Sequence, residues 1–525
     1  MNQGYIMLVL HAHLPYVRHA GEMSRIEERW VFEAINECYL PLLTALDDLA
    51  RDEVTSCLSM SLTPPLMAQL DDEHLKGKFR LHLDRSIDLA QQEWERNRDN
   101  AFREAVEFYL DRWNRHRDKY NYLNGDIVGA FAHHQKAGRL EILASAATHA
   151  FLPLMASPGG VRAQIHVGVE EYQRRLGRAP RGFWLPECAF IPGLDYALGA
   201  AGLEYIIMET HGVAHACPRP RYGTLAPIQT PGGISCFARD IESSKQVWSA
   251  EEGYPGDEEY RDFYRDIGFE REQDYLRPFV GEDRMFTGLK YHRITQRDNE
   301  HKEVYHPGRA WHKAQEHAGN FVFNRAKQVE WYGGMMDRPP LLICPYDAEL
   351  FGHWWFEGPF WLEEVLRLLA DHPHLKSITA PEYLELYPQN QICQPFLSSW
   401  GYQGYSEVWL EGKNDWIYRH LHQGEKRMAQ LTTRFPQPTG LNERALKQAV
   451  RELLLAQSSD WPFIMKTGTF PDYARKRVKQ HLANFNLLYQ ELMRHRVRES
   501  TLREMEHHSP LFPEVKADHY RTESL

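Results

Sequence analysis

The chain has 525 residues, 43% of them hydrophobic and 25% charged, enough for one large barrel with appendages or for three ordinary domains. A net charge of -11 gives no basic footprint, so no nucleic-acid partner is expected. No apolar run nears the ~20 residues a membrane span needs, and the opening MNQGYIMLVLHAH lacks the basic flank of a signal peptide, so no membrane partner is expected either.

In chain order, short apolar runs predict strands at 6–10, 55–62, 126–130, 182–185, 205–208, 234–238, 341–344 and 377–379. Amphipathic patterns predict helices between them, such as 26–49 and 312–331. Apolar strands alternating with helices indicate a parallel sheet covered on both faces. The expected class is α/β, a seven- or eight-stranded βα barrel, with an open doubly wound sheet as the competitor. Residues 66–120 are rich in charge and helix formers, which predicts a helical excursion. Residues 240–310 are polar, aromatic and punctuated by Gly and Pro, the composition of a long loop or small insert over a site. After about residue 395 the strand signal stops, and Leu446, Val450, Leu453, Leu454, Leu482, Phe485 and Leu488 fall at helical spacing. The division expected is a catalytic barrel over 1–395 and a helical C-terminal domain over 396–525 that contributes to the cleft. The seven cysteines, at 38, 57, 188, 217, 236, 344 and 393, form no CxxC and read as reduced thiols of a cytoplasmic protein.

Residues that follow strand C-termini in a parallel barrel converge on one face. Here those positions carry His11 and His13, Glu187, Glu209 and His211, then Asp347, Glu349 and His353. One such residue alone is more often a cap or a packed polar group, whereas several converging on one rim point to a site. Two carboxylates at separate strand ends, Glu187 and Asp347, fit glycosidic chemistry, in which one attacks or stabilises the anomeric carbon and the other protonates the leaving oxygen. The 12% aromatic content, with 14 Trp and 26 Tyr, supplies either a large core or flat platforms for sugar rings. A zinc site built on His11 and His13 is the rival, as in a zinc-dependent glycosidase or deacetylase. No second HxH or HExxH supports it, so neither metal nor cofactor is expected.

Five stretches, HAHLPYVRH (11–19), EILASAATHAFLPL (141–154), GFWLPECAF (182–190), PYDAELFGHWWFEGP (345–359) and LAQSSDWPF (455–463), resemble glycoside hydrolase family 57, with the 1,4-α-glucan branching subgroup the nearest. The resemblance implies an incomplete (β/α)7 barrel with a helical insert and an all-α C-terminal domain. It makes Glu187 the nucleophile and Asp347 the general acid/base of a retaining reaction on an α-1,4-glucan, forming α-1,6 branches. His11 and His149 would hold the sugar, and Trp400 and Trp409 would form aromatic walls. Asp460 and Trp461 would close one side, and Tyr254 would ride on a mobile loop over the site. His13, Trp184, His353 and Trp354, beside the same strand ends, complete the expected substrate-binding set. A 4-α-glucanotransferase or an amylase of the same family, and an inactive carbohydrate-binding protein, are the alternatives.

Overall fold

The computed structural model describes residues 4–21, 25–249, 252–296 and 301–521. Its centre is a sheet of β1 (Gly4–Ala12), β2 (Leu58–Leu62), β3 (Leu140–Ser145), β4 (Gly182–Trp184), β5 (Tyr205–Met208), β6 (Ile228–Gln229), β7 (Ser235–Ala238), β8 (Leu341–Asp347) and β9 (Leu375–Ser377). The order is β6-β7-β5-β4-β3-β2-β1-β8, with β9 beside the start of β1. Every pair is parallel except β6 with β7.

Alternation of side chains shows that this sheet is curled. Met7, Val9, Leu143, Trp184, Ile207, Phe237, Leu341 and Ile343 pack together as one interior cluster drawn from six strands. The residues between them, such as Leu8, Ile142, Phe183, Ile206, Cys236 and Leu342, face outward into a second core shared with the helices. The ends of the curl meet where the Asp240 N–H donates to Ile343 O at 2.7 Å, beside a parallel bridge between Arg239 and Ile343. Seven parallel strands thus ring the interior, and the β7–β8 seam is held by this single bridge: an incomplete (β/α)7 barrel, as expected.

Several boundaries differ from the sequence reading. Residues 126–130 are not a strand. Asp126 caps the helix Ile127–Lys136 by accepting from Gly129 N–H, and the strand lies further on, at β3. A short apolar run fits a buried strand or a buried helix equally, and only the cap tells them apart. The expected 377–379 strand is β9 at Leu375–Ser377, and Thr379 instead opens a helix through a capping box with Glu382. The expected helix 26–49 is interrupted by a π segment, Ile35–Tyr39. Such bulges turn side chains out of helical register, and this one directs Glu37 and Tyr39 at the loop that follows β8.

The excursion over 66–120 is helical, mainly Glu73–Arg96 and Arg103–Tyr122. Within 240–310, residues 250–251 and 297–300 lie outside the described residues. The remainder holds short helices at Ile241–Trp248, Ile267–Glu270 and Gln273–Val280. C-terminal helices Trp416–Arg434, Gly440–Ala456, Pro471–Met493 and Glu499–His508 pack around Leu446, Val450, Leu453, Phe485 and Leu488, while Asp460–Thr467 packs through Trp461 and Met465 into a neighbouring core with Ile417, Leu421 and Val478. Tyr16, Ala147, Ala163 and Val167 of the barrel side join that same core, so the helices are docked on the barrel. No helix among the described residues is long and apolar enough to cross a membrane.

Candidate active site

At the end of β4 the chain turns through Pro186 into Glu187 and Cys188, both in left-handed backbone conformation (φ 61° and 49°). Non-glycine residues held there cost about 1–3 kcal/mol each and persist only where the surroundings enforce them. The enforcement is visible. Trp400 N–H donates to the Glu187 carbonyl at 2.9 Å, Trp400 Nε1–H donates to Glu187 Oε2 at 2.6 Å, and Ser459 O–H donates to Oε1 at 2.7 Å.

Behind Ser459 runs a chain of imidazoles. His149 Nδ1 lies 2.8 Å from Ser459 Oγ, His149 Nε2 lies 3.0 Å from His11 Nε2, and His11 Nδ1 lies 2.6 Å from Ser61 Oγ. Burial, together with neighbouring imidazoles, holds both rings well below the usual histidine range, so both are neutral. One assignment satisfies every partner: Ser61 donates to His11, His11 to His149, His149 to Ser459, and Ser459 to Glu187. All donors point toward the carboxylate. His13 stacks on His149 at 3.9 Å and bonds Thr63 Oγ1 (2.9 Å) and Asp460 (3.0 Å). Burial opposes its charge, but Asp460 raises its pKa above the ordinary value. All four ring nitrogens of His11 and His13 therefore have hydrogen-bond partners.

Asp347 ends β8 with His11 as its register partner. Burial, then Glu349 and Glu187, push its carboxyl well above the usual range, and it accepts no hydrogen bond among the described residues. Burial lifts Glu187 to about 7, against the pull of Ser459 and Trp400. The carboxylate with two donors ionises before the one with none. The pair is thus suited to one anion and one acid. A groove of about 430 Å³ is lined by Glu209, His211, Arg239, Trp248, Trp400 and Gln403, and Trp400 joins it to Glu187.

The structure brings His11, His13, His149, Glu187, Asp347, Trp400 and Asp460 into this one network. Trp184 packs against the network through His11 and Trp400, and the other expected residues do not join it. Trp184 is fully buried beneath His11 (ring centroids 4.4 Å apart) and forms the barrel floor. Trp409 is 1% exposed and packs on Phe151 at 4.9 Å, and Trp461, at 0%, donates to Leu455 O. The Trp409 ring, expected as a wall, and the Trp461 ring, expected to close one side, are both buried in cores at the helical junction. His353 bonds Glu37 at 2.6 Å, while Trp354 is 54% exposed and stacks on Phe263 at 4.4 Å. Tyr254 stacks on His317 at 4.6 Å and donates to Asn320 at 2.7 Å, both on the helix Pro307–Gly333. It braces the insert against that helix and does not cover the carboxylates. Sequence reasoning missed Ser61, Thr63, Tyr39, Trp248 and Ser459. The two β2-end hydroxyls, Ser61 and Thr63, were readable by the strand-end rule that found His11 and His13.

The model of glycosyl hydrolase family 57 matches residues 7–326, and that of the 1,4-alpha-glucan branching enzyme C-terminal region matches 420–520. The chain belongs to glycosyl hydrolase family 57. This family 57 chain is 34% identical to 1,4-alpha-glucan branching enzyme TK1436 of Thermococcus kodakarensis, over 94% of itself and 74% of that protein. Its fold is similar to the branching enzyme of Pyrococcus horikoshii (TM-score 0.90, 33% identity, covering 99% and 97% of the two chains). It is also similar to the alpha-amylase AmyC of Thermotoga maritima (TM-score 0.94, 42% identity, covering 100% of both).

Proposed function

We propose that the chain is a 1,4-α-glucan branching enzyme, working by retaining double displacement on an α-1,4-glucan. The observation that carries this reading is the Ser459–Glu187 hydrogen bond at 2.7 Å. It makes the helical region an integral part of the site, and much of that region matches the model shared by branching enzymes.

Glu187 attacks the anomeric carbon, and Asp347 gives its proton to the departing glycosidic oxygen as that bond breaks. The Asp347 carboxylate then takes the proton of an acceptor 6-hydroxyl, whose oxygen displaces Glu187 and forms the α-1,6 branch. Neutral His11 and His149 keep Ser459 aimed at Glu187, and Trp400 both fixes Glu187 and walls the groove. The barrel and the helical region are the two units, with the division near residue 395. No metal or cofactor takes part, since protonation and attack are covered by side chains. Seven free cysteines suit a cytoplasmic setting.

An amylase is the second reading, favoured by the likeness to AmyC. Incubation with amylose, followed by debranching and chain-length analysis, separates the two. New α-1,6 linkages with few new reducing ends are expected; reducing ends alone mean an amylase.

A further inference from the structure

Glu349 lies two residues beyond Asp347, and it continues a pairing begun by the strands. Where Asp347 is in register with His11, the His13 N–H donates to Glu349 Oε1 at 3.3 Å. The Tyr39 hydroxyl donates to the same oxygen at 2.6 Å. Tyr39 reaches it from the π segment, which is packed so closely on the post-β8 loop that a Cβ on Gly352 (φ 108°) would sit 1.8 Å from Glu37 O. Two donors from two elements fix Glu349, yet no lysine or arginine pairs with it among the described residues. A part-buried carboxylate without a cation is poor material for stability. Its neighbours are those of the acid.

We propose that Glu349 is a positioning residue for the acid/base: fixed by Tyr39 and His13, its charge keeps the proton on Asp347 until the glycosidic oxygen takes it. The proposal rests on the reading of Asp347 as acid/base. Asp347 faces Glu349 and Glu187, which favour its protonated form, and His13 and Arg239, which oppose it. Glu349 itself is lifted by burial to about 6 and pulled back by Tyr39 and His13, so it is charged at neutral pH. Once Asp347 has given up its proton, the same repulsion makes its carboxylate a stronger base toward the acceptor hydroxyl.

The test uses the full chain with two donors: amylose, whose leaving oxygen needs a proton, and α-maltotriosyl fluoride, whose fluoride does not. Glu349→Gln is expected to move the alkaline limb of kcat/KM on amylose down by about one pH unit, and to lower amylose cleavage at pH 8 by up to about tenfold while fluoride release is unchanged. Glu349→Asp, which keeps the charge, restores the limb. Equal loss on both donors with an unmoved limb overturns the proposal. Should Glu349→Gln fail to fold, Tyr39→Phe carries the same comparison: greater loss on amylose supports the proposal, and equal loss overturns it. Asp347→Asn is the control. If it loses the first-turnover release of fluoride as fully as amylose cleavage, the acid/base reading falls and the proposal with it. If it is selective while Glu349→Gln is not, the proposal alone falls.

Discussion

Ser459 and Glu187 are 272 residues apart in the chain, yet the Ser459 hydroxyl donates to Glu187 Oε1 at 2.7 Å. Backbone pairing sets this distance: the Ser459 N–H bonds His149 O at 2.9 Å, beside an antiparallel bridge between Ala150 and Ser458. Because the bond stabilises the ionised carboxylate, Ser459→Ala should raise the Glu187 pKa from its present value near 7. The acidic limb of kcat/KM then moves to higher pH, by about one unit. At pH 6 the loss should be about tenfold. A pH–rate profile of the folded variant checks both the direction and the size.

Trp400 and Trp409 should separate cleanly. Trp400→Phe keeps an aromatic wall but removes the Nε1–H donor to Glu187. Activity should fall at least tenfold with an unchanged melting temperature. Trp409→Ala opens a hole beside Phe151 and should cost about 3–5 kcal/mol of stability. Thermal melts and initial rates on the same preparations decide.

Much of this site was legible because geometry does the sorting. Two-residue alternation and parallel order send His11, His13, Glu187 and Asp347 to one rim whatever the loops do. What failed depends on contacts between distant segments. The resemblance makes Trp409 a wall and Trp461 a closing residue, but an aromatic ring fills a core or faces a cleft equally well, and both rings are buried. Ser459 carries no periodic signal at all; only the docking of the helical region puts its hydroxyl on Glu187. The 126–130 run is ambiguous because Ile127, Val128 and Ala130 fit strand and helix alike, and only the Asp126 cap decides it.

Tyr254 braces the insert through His317 and Asn320. Tyr254→Ala should therefore lower the melting temperature while leaving the ratio of branching to hydrolysis within about twofold of the parent, a change under 0.5 kcal/mol. A selective collapse of branching, measured by debranching analysis against reducing ends, would return the tyrosine to the active site.

Exhaustive chelation should leave activity intact. Every ring nitrogen of His11 and His13 already has a partner, including Asp460 at 3.0 Å. Assays before and after chelation, then with added zinc, check this; zinc-restored activity would promote the metal rival.

Trapping the intermediate decides whether Glu187 forms the covalent bond to the sugar. A 5-fluoro-α-glycosyl fluoride, whose slow second step lets the glycosyl-enzyme accumulate, tests it by mass spectrometry of proteolytic peptides. One glycosyl adduct is expected on the peptide containing Glu187, absent in Glu187→Gln and still formed in Asp347→Asn. An adduct on Asp347 or Glu349, or fluoride turnover persisting in folded Glu187→Gln, would contradict it.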